Sequence, residues 1–233
     1  MSHIYYQKRK FTYLAIFFFA IYYLTLFSSF LQVLAAGTST FNQTINPGSL
    51  VVDIVNGSYV SVGSPSVSLE AQAFSFACGA STGTFGTATE QLYVSNPDAA
   101  DGGWTLSIGA SAPSVTWTSA GTPFDFNDAS TAGCSDGAGD DDSYAGQMTI
   151  DASGGTLAKG SCSTCDTDNL SLGSSGAFVE GTTNSITLIT AAASSDDIGD
   201  WTLQGVDLSQ TIPGEQPAAS DYSISLTLSV AAS

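Results

Sequence analysis

The chain has 233 residues, 21 Asp and Glu against 4 Lys and Arg, one histidine and a formal net charge of −17. Taking the first 36 residues away leaves 197, and these hold all 21 carboxylates, one lysine (Lys159), no arginine and no histidine, a net charge of −20. Such a body repels a phosphate backbone, which is bound by clustered cations, and it has no imidazole for Ser-His-Asp or Cys-His chemistry or for a His-ligated zinc.

In chain order, Met1 to Lys10 form a basic flank containing Lys8, Arg9 and Lys10, and Phe11 to Ala36 carry no charge. This is the pattern of a targeting segment, with the small residues Ala35-Ala36-Gly37 offering a cleavage site. Cleavage near Ala36 is the expectation, and export of everything after it follows from the positive flank. The alternative is an uncleaved membrane anchor over residues 11–36, since that run exceeds the ~20 apolar residues that span a bilayer. Residues 37–233 read as one domain.

That domain reads as strands throughout. In Tyr222-Ser-Ile-Ser-Leu-Thr-Leu-Ser-Val230 every second residue is apolar and every intervening one is Ser or Thr, the period of a strand with one buried and one wet face. Shorter runs of the same kind occur at Leu50–Val55, Trp104–Ile108, Gln147–Ile150 and Ser185–Leu188, separated by Gly, Asn, Pro and Asp, and Leu69–Cys78 is a further expected strand. Ala88–Val94 fits a short helix or a strand. Ala129–Ser143 and Gly154–Asn169 read as long loops. Many short strands with this punctuation predict an all-β fold, a single antiparallel β-sandwich of jelly-roll or Greek-key type.

Four residue groups are candidates for chemistry. Cys78, Cys134, Cys162 and Cys165 are even in number and lie in an exported body, which predicts two disulfides; Cys78–Cys134 with Cys162–Cys165 is one pairing, and a crossed pairing is another. In Cys134-Ser-Asp136-Gly-Ala-Gly-Asp140-Asp141-Asp142, four carboxylates within seven residues of a glycine-rich loop repel one another unless water or a cation intervenes. Ca²⁺ takes carboxylate oxygens in irregular geometry, so Asp136, Asp140 and Asp142 are its candidate ligands, against a plain solvated acidic turn. Trp104 and Trp201 are candidates for an aromatic platform that stacks on a sugar ring, against ordinary burial in a strand core. Lys159 reads as a surface lysine. A carboxylate-only glycosidase needs no histidine, yet nothing selects a pair among so many Asp, and the body reads as non-catalytic.

Ile212-Pro-Gly, a polar spacer, the alternating strand Tyr222–Val230 and chain termination three residues later, together with Asp101-Gly-Gly-Trp104-Thr-Leu106, resemble the WxL domain of Gram-positive cell-surface proteins. Leu228 and Val230 stand where that family has its terminal Trp and Leu. The resemblance implies a β-sandwich that binds cell-wall polymer. The second functional expectation is a structural subunit of a surface fibre or layer, in which Gly37–Ile45 or the Tyr222–Val230 strand pairs with the sheet edge of a neighbour.

Overall fold

The computed structural model describes residues 2–28, 40, 42–46, 48–97, 102–119, 122–137, 142–193 and 198–233. The chain forms two units, Met1–Ile45 and Asn46–Ser233. In the first, helix α1 covers Ser2–Ser28. Among the described residues no helix is long and apolar enough to cross a membrane, and the rest of the anchor alternative, residues 29–36, lies outside them.

The second unit is built from β1 (Val51–Val55), β2 (Gly79–Phe85), β3 (Gln91–Asn96), β4 (Trp104–Ala110), β5 (Gln147–Asp151), β6 (Thr156–Lys159), β7 (Leu170–Leu172), β8 (Gly176–Ala177), β9 (Ser185–Ala191), β10 (Gly199–Gln204), β11 (Val206–Ile212) and β12 (Leu226–Ala232). They form three four-stranded sheets in the orders β1-β3-β10-β6, β2-β11-β5-β8 and β12-β4-β9-β7. Every pairing is antiparallel. The fold is all-β and consistent with the sandwich that the alternating pattern predicts.

The first two sheets meet along a crease. Besides the long connection from β1 into β2, three short ones pass from one to the other: β2 into β3, β5 into β6, and β10 into β11. Glycine marks each short crossing. Gly205 joins β10 to β11 at φ +74°, and Gly86 leaves β2 at φ +83°. A Cβ on Gly86 would lie 2.8 Å from Gln204 Cα, and one on Gly155 would lie 2.8 Å from a Leu203 methyl. The backbones therefore approach where no side chain fits, which lets the strands bend without breaking their ladders. The Gly205 amide closes the crease by donating to the Gly86 carbonyl at 2.8 Å.

The core follows strand parity. In β4, Trp104, Leu106 and Ile108 face inward while Thr105 and Ser107 are half-exposed. They pack with Leu92, Val94, Ile150, Phe178, Leu188, Trp201, Leu203 and Val206, all at most 1% exposed. Burying such side chains contributes roughly 1.5–3 kcal/mol each.

Several sequence expectations change. Leu69–Cys78 is not a strand: it runs exposed beside β2 and makes one backbone bond to it, Glu70 N–H to Thr82 O at 2.7 Å. Beyond Leu69, which packs against the core, its alternation buries little: Phe74 and Phe76 are 52% and 82% exposed. Ala88–Val94 resolves as a bend over Ala88–Glu90 followed by the start of β3 at Gln91, and the expected loop Gly154–Asn169 contains β6. The last strand begins four residues later than its alternation suggests, at Leu226, with Ser223 meeting Thr118 in an isolated bridge.

Candidate functional site

Trp104 and Trp201 do not form a surface platform. Both are 0% exposed, with ring centroids 5.4 Å apart and planes tilted by 41°. They stand on β4 and β10, in two different sheets, so their contact helps to hold those sheets together. The Trp201 Nε1–H donates to the Asp166 carbonyl at 2.6 Å, whereas Trp104 Nε1 has no partner among the described residues. Neither ring face can meet a sugar, which corrects the ligand-binding expectation for these residues. The cause is strand parity: each tryptophan falls on the inward face of its strand.

The cysteines form Cys78–Cys134 and Cys162–Cys165, with Cα–Cα distances of 5.6 and 5.8 Å. Among the described residues, one His/Cys/Asp/Glu group of three brings ligand atoms together, Cys162, Cys165 and Asp200. Its sulfurs are tied to each other, so it offers no thiolate. Asp200 instead anchors the Cys162–Cys165 loop. Its carboxylate accepts from Ser161 N at 2.7 Å, Ser161 Oγ at 2.9 Å, Cys162 N at 2.7 Å and Tyr93 Oη at 3.0 Å. Burial pushes this carboxyl up, but those bonds favour the anion and outweigh burial, so its pKa lies below the ordinary value. Burial also raises Tyr93, and its bond to Asp200 adds to the rise.

Of the three candidate Ca²⁺ ligands in the acidic loop, two lie among the described residues. Asp136 is exposed, Asp142 is half-buried with Oδ1 accepting from Tyr144 N at 2.8 Å, and Asp140 lies outside the described residues. The loop is organised by a residue the sequence reading missed, Asp128, whose two oxygens accept from Ser130 N at 2.7 Å and Gly137 N at 3.0 Å. This clamp brackets the Ser130–Gly133 turn, where Thr131 and Ala132 hold φ values of 49° and 57°, and it positions Cys134 for its bridge.

Asp125 was missed as well. It is 1% exposed, and its pKa is raised to about 7, chiefly by burial and further by the negative charges of Asp142 and Glu180, against a Phe126 N–H bond that lowers it. The signal lay in Phe124-Asp-Phe-Asn-Asp128, where polar residues alternate with two buried phenylalanines.

The surface feature with the clearest chemical capacity is the edge formed by β12. This strand pairs with β4 from Leu226↔Ala110 to Ala232↔Trp104 and stands at the end of its sheet. Its seven residues carry no charge and no proline. Leu226, Leu228 and Val230 are half-buried, and Thr227, Ser229 and Ala231 are exposed. An edge of this kind can hydrogen-bond another strand along its length.

Compared with protein-family models, with curated proteins and with solved structures, the chain matches none.

Proposed function

We propose that the protein is an exported, non-catalytic structural subunit of a surface assembly that joins its neighbours by strand addition. The observation that carries this reading is β12, a seven-residue uncharged strand left at the end of its sheet on a body of net charge −20. Edge strands are usually blunted by lysine, proline or a covering segment; β12 has no lysine and no proline. Export is supported by the basic flank before an uncharged run and by two disulfides, which persist in oxidising compartments.

Binding of wall polymer, as the WxL resemblance implies, had Trp104 and Trp201 as its platform. With both indoles in the core, that reading keeps only the Ile212-Pro-Gly and Trp-Thr-Leu segments as support. Strand addition is therefore the reading preferred here, with other copies of the chain or other surface proteins as partners. Ca²⁺ enters it as a screening ion, with Asp136, Asp140 and Asp142 as candidate ligands. The Asp140→Asn, Asp142→Asn double variant should lose any calorimetric Ca²⁺ signal; an unchanged isotherm removes these residues from the proposal.

The test is light scattering of the disulfide-bonded body against concentration, with and without Ca²⁺ or salt. Growth in mass is expected for the parent chain and not for Ser229→Lys, which places a charge on the exposed row of β12. A parent chain that stays monomeric at high concentration with Ca²⁺ present defeats the reading.

A further inference from the structure

We infer that β12 is its own partner: two copies pair β12 with β12 antiparallel, about a two-fold axis at Ser229. This rests on the strand-addition reading and names the partner at that edge.

The other sheet edges are poorer acceptors. β1 carries Asp53 at its centre, and its outer side is taken by Val62 N–H to Ile54 O and Asn56 N–H to Val60 O, both 2.9 Å. β2 is met by the 68–70 segment through the Glu70 N–H to Thr82 O bond of 2.7 Å. β6 carries Lys159, and β7 and β8 are three and two residues long. Along β12, by contrast, the backbone bonds of the described residues run to β4, and Ser233 N–H goes to Gly103 O on that same side; β1 of the neighbouring sheet comes close to β12 but makes no backbone bond to it among the described residues.

Charge selects the partner. Two bodies of net charge −20 repel over most of their surfaces, so a lasting contact requires uncharged surface on both sides. β12 against β12 supplies it over the whole strand.

The sequence of β12 is also self-complementary. Centring the pair on Ser229 overlaps all seven residues, Leu226 to Ala232. Opposite positions then become Leu226 with Ala232, Thr227 with Ala231, Leu228 with Val230, and Ser229 with itself. The apolar row of one copy continues into that of the other, and the exposed Thr/Ser/Ala row continues likewise. A slip by one residue would move Leu228 from opposite half-buried Val230 to opposite an exposed residue and break both rows. The result is a continuous eight-stranded sheet, two four-stranded sheets joined edge to edge; its isologous contact closes on itself, so strand addition through β12 makes a dimer the unit of the assembly and not a longer strand-added array.

A single cysteine tests the register. Directly opposed residues of an antiparallel pair have Cα atoms ~4.5–5.5 Å apart, within disulfide reach. Ser229→Cys, incubated with oxidised glutathione, should give a covalent dimer at least about tenfold faster than Thr227→Cys, whose two copies would sit about four residues apart along the strand. Thr227→Cys mixed with Ala231→Cys should cross-link. In parallel, amide exchange of residues 226–232 in the parent chain should slow as concentration rises, a readout that needs no variant.

Suppose instead that Ser229→Cys and Thr227→Cys link equally or not at all, while Ser229→Lys still abolishes association. A different strand, such as one containing residues 42–46, then adds to β12; self-pairing is overturned and strand addition stands. Association that survives Ser229→Lys, with no concentration-dependent protection of residues 226–232, overturns both.

Discussion

Asp200 and Asp125 are both nearly excluded from solvent, at 5% and 1% exposure, yet their carboxyls respond to burial in opposite ways. Asp200 receives two backbone N–H groups and two hydroxyls, and its folded pKa falls below the ordinary 3.8. Its contribution to stability is thus present above about pH 4 and is lost as pH drops through the folded value. Asp200→Asn should cost about 1.5–3 kcal/mol at neutral pH, because it removes charge-assisted bonds and leaves their donors poorly paired. Urea titrations at pH 7 and pH 2 check this, with a smaller acid loss expected in the variant. Asp125 has too few donors to offset its burial, and its folded pKa of about 7 lies above the ordinary 3.8. The native state then binds a proton that the unfolded chain releases, and stability falls as pH rises from about 4 through 7. In Asp125→Asn the fall between pH 5 and pH 8 should shrink, measured by the same titration; a variant with the parent's full pH dependence would show that another group is responsible.

Among the elements, the crease between the first two sheets is where backbone conformation is most demanding. Gly205 sits at φ +74° with its nearest prospective Cβ neighbour 3.9 Å away, whereas a Cβ at Gly86 would meet Gln204 Cα and the Leu203 carbonyl at 2.8 Å. Gly205→Ala should therefore cost about 1–2 kcal/mol, the left-handed penalty alone, and Gly86→Ala distinctly more, because strand backbone must also move. Comparing their urea midpoints checks the ranking. The two disulfides differ in the same structural sense. Cys78–Cys134 closes a span of 56 residues and Cys162–Cys165 a span of 3. In the chain-entropy account, replacing both cysteines of the first by serine costs about 4 kcal/mol, and of the second about 1.5 kcal/mol. Thermal unfolding of the two double variants measures the difference.

At the scale of the whole molecule, a body of net charge −20 associates only where charge is absent or screened. Self-association should strengthen with ionic strength, steeply between 10 and 150 mM where the Debye length shrinks from about 30 to about 8 Å, and scattering at fixed concentration follows it directly. Local pattern determined much of this from the sequence alone. The uncharged run after Lys10, the exclusion of histidine chemistry, the all-β class and the β4 and β12 periodicity are one-dimensional properties, because strand parity and charge are written residue by residue. Tertiary structure decided the rest. Trp104 and Trp201 share a motif and a chemistry that suit either a sugar or a core, and only the stacking of β4 against β10 puts both inside. The anchoring roles of Asp125, Asp128 and Asp200 did not stand out in a chain with seventeen aspartates: Asp200 is held by Ser161 and Cys162, far away in sequence, and Asp125 by its burial, while Asp128 clamps Ser130 and Gly137 in a turn that many an Asp/Gly stretch could form. The open side of β12 belongs to the same class: alternation made it a strand, but which strand ends the sheet depends on long-range pairing that no local pattern encodes.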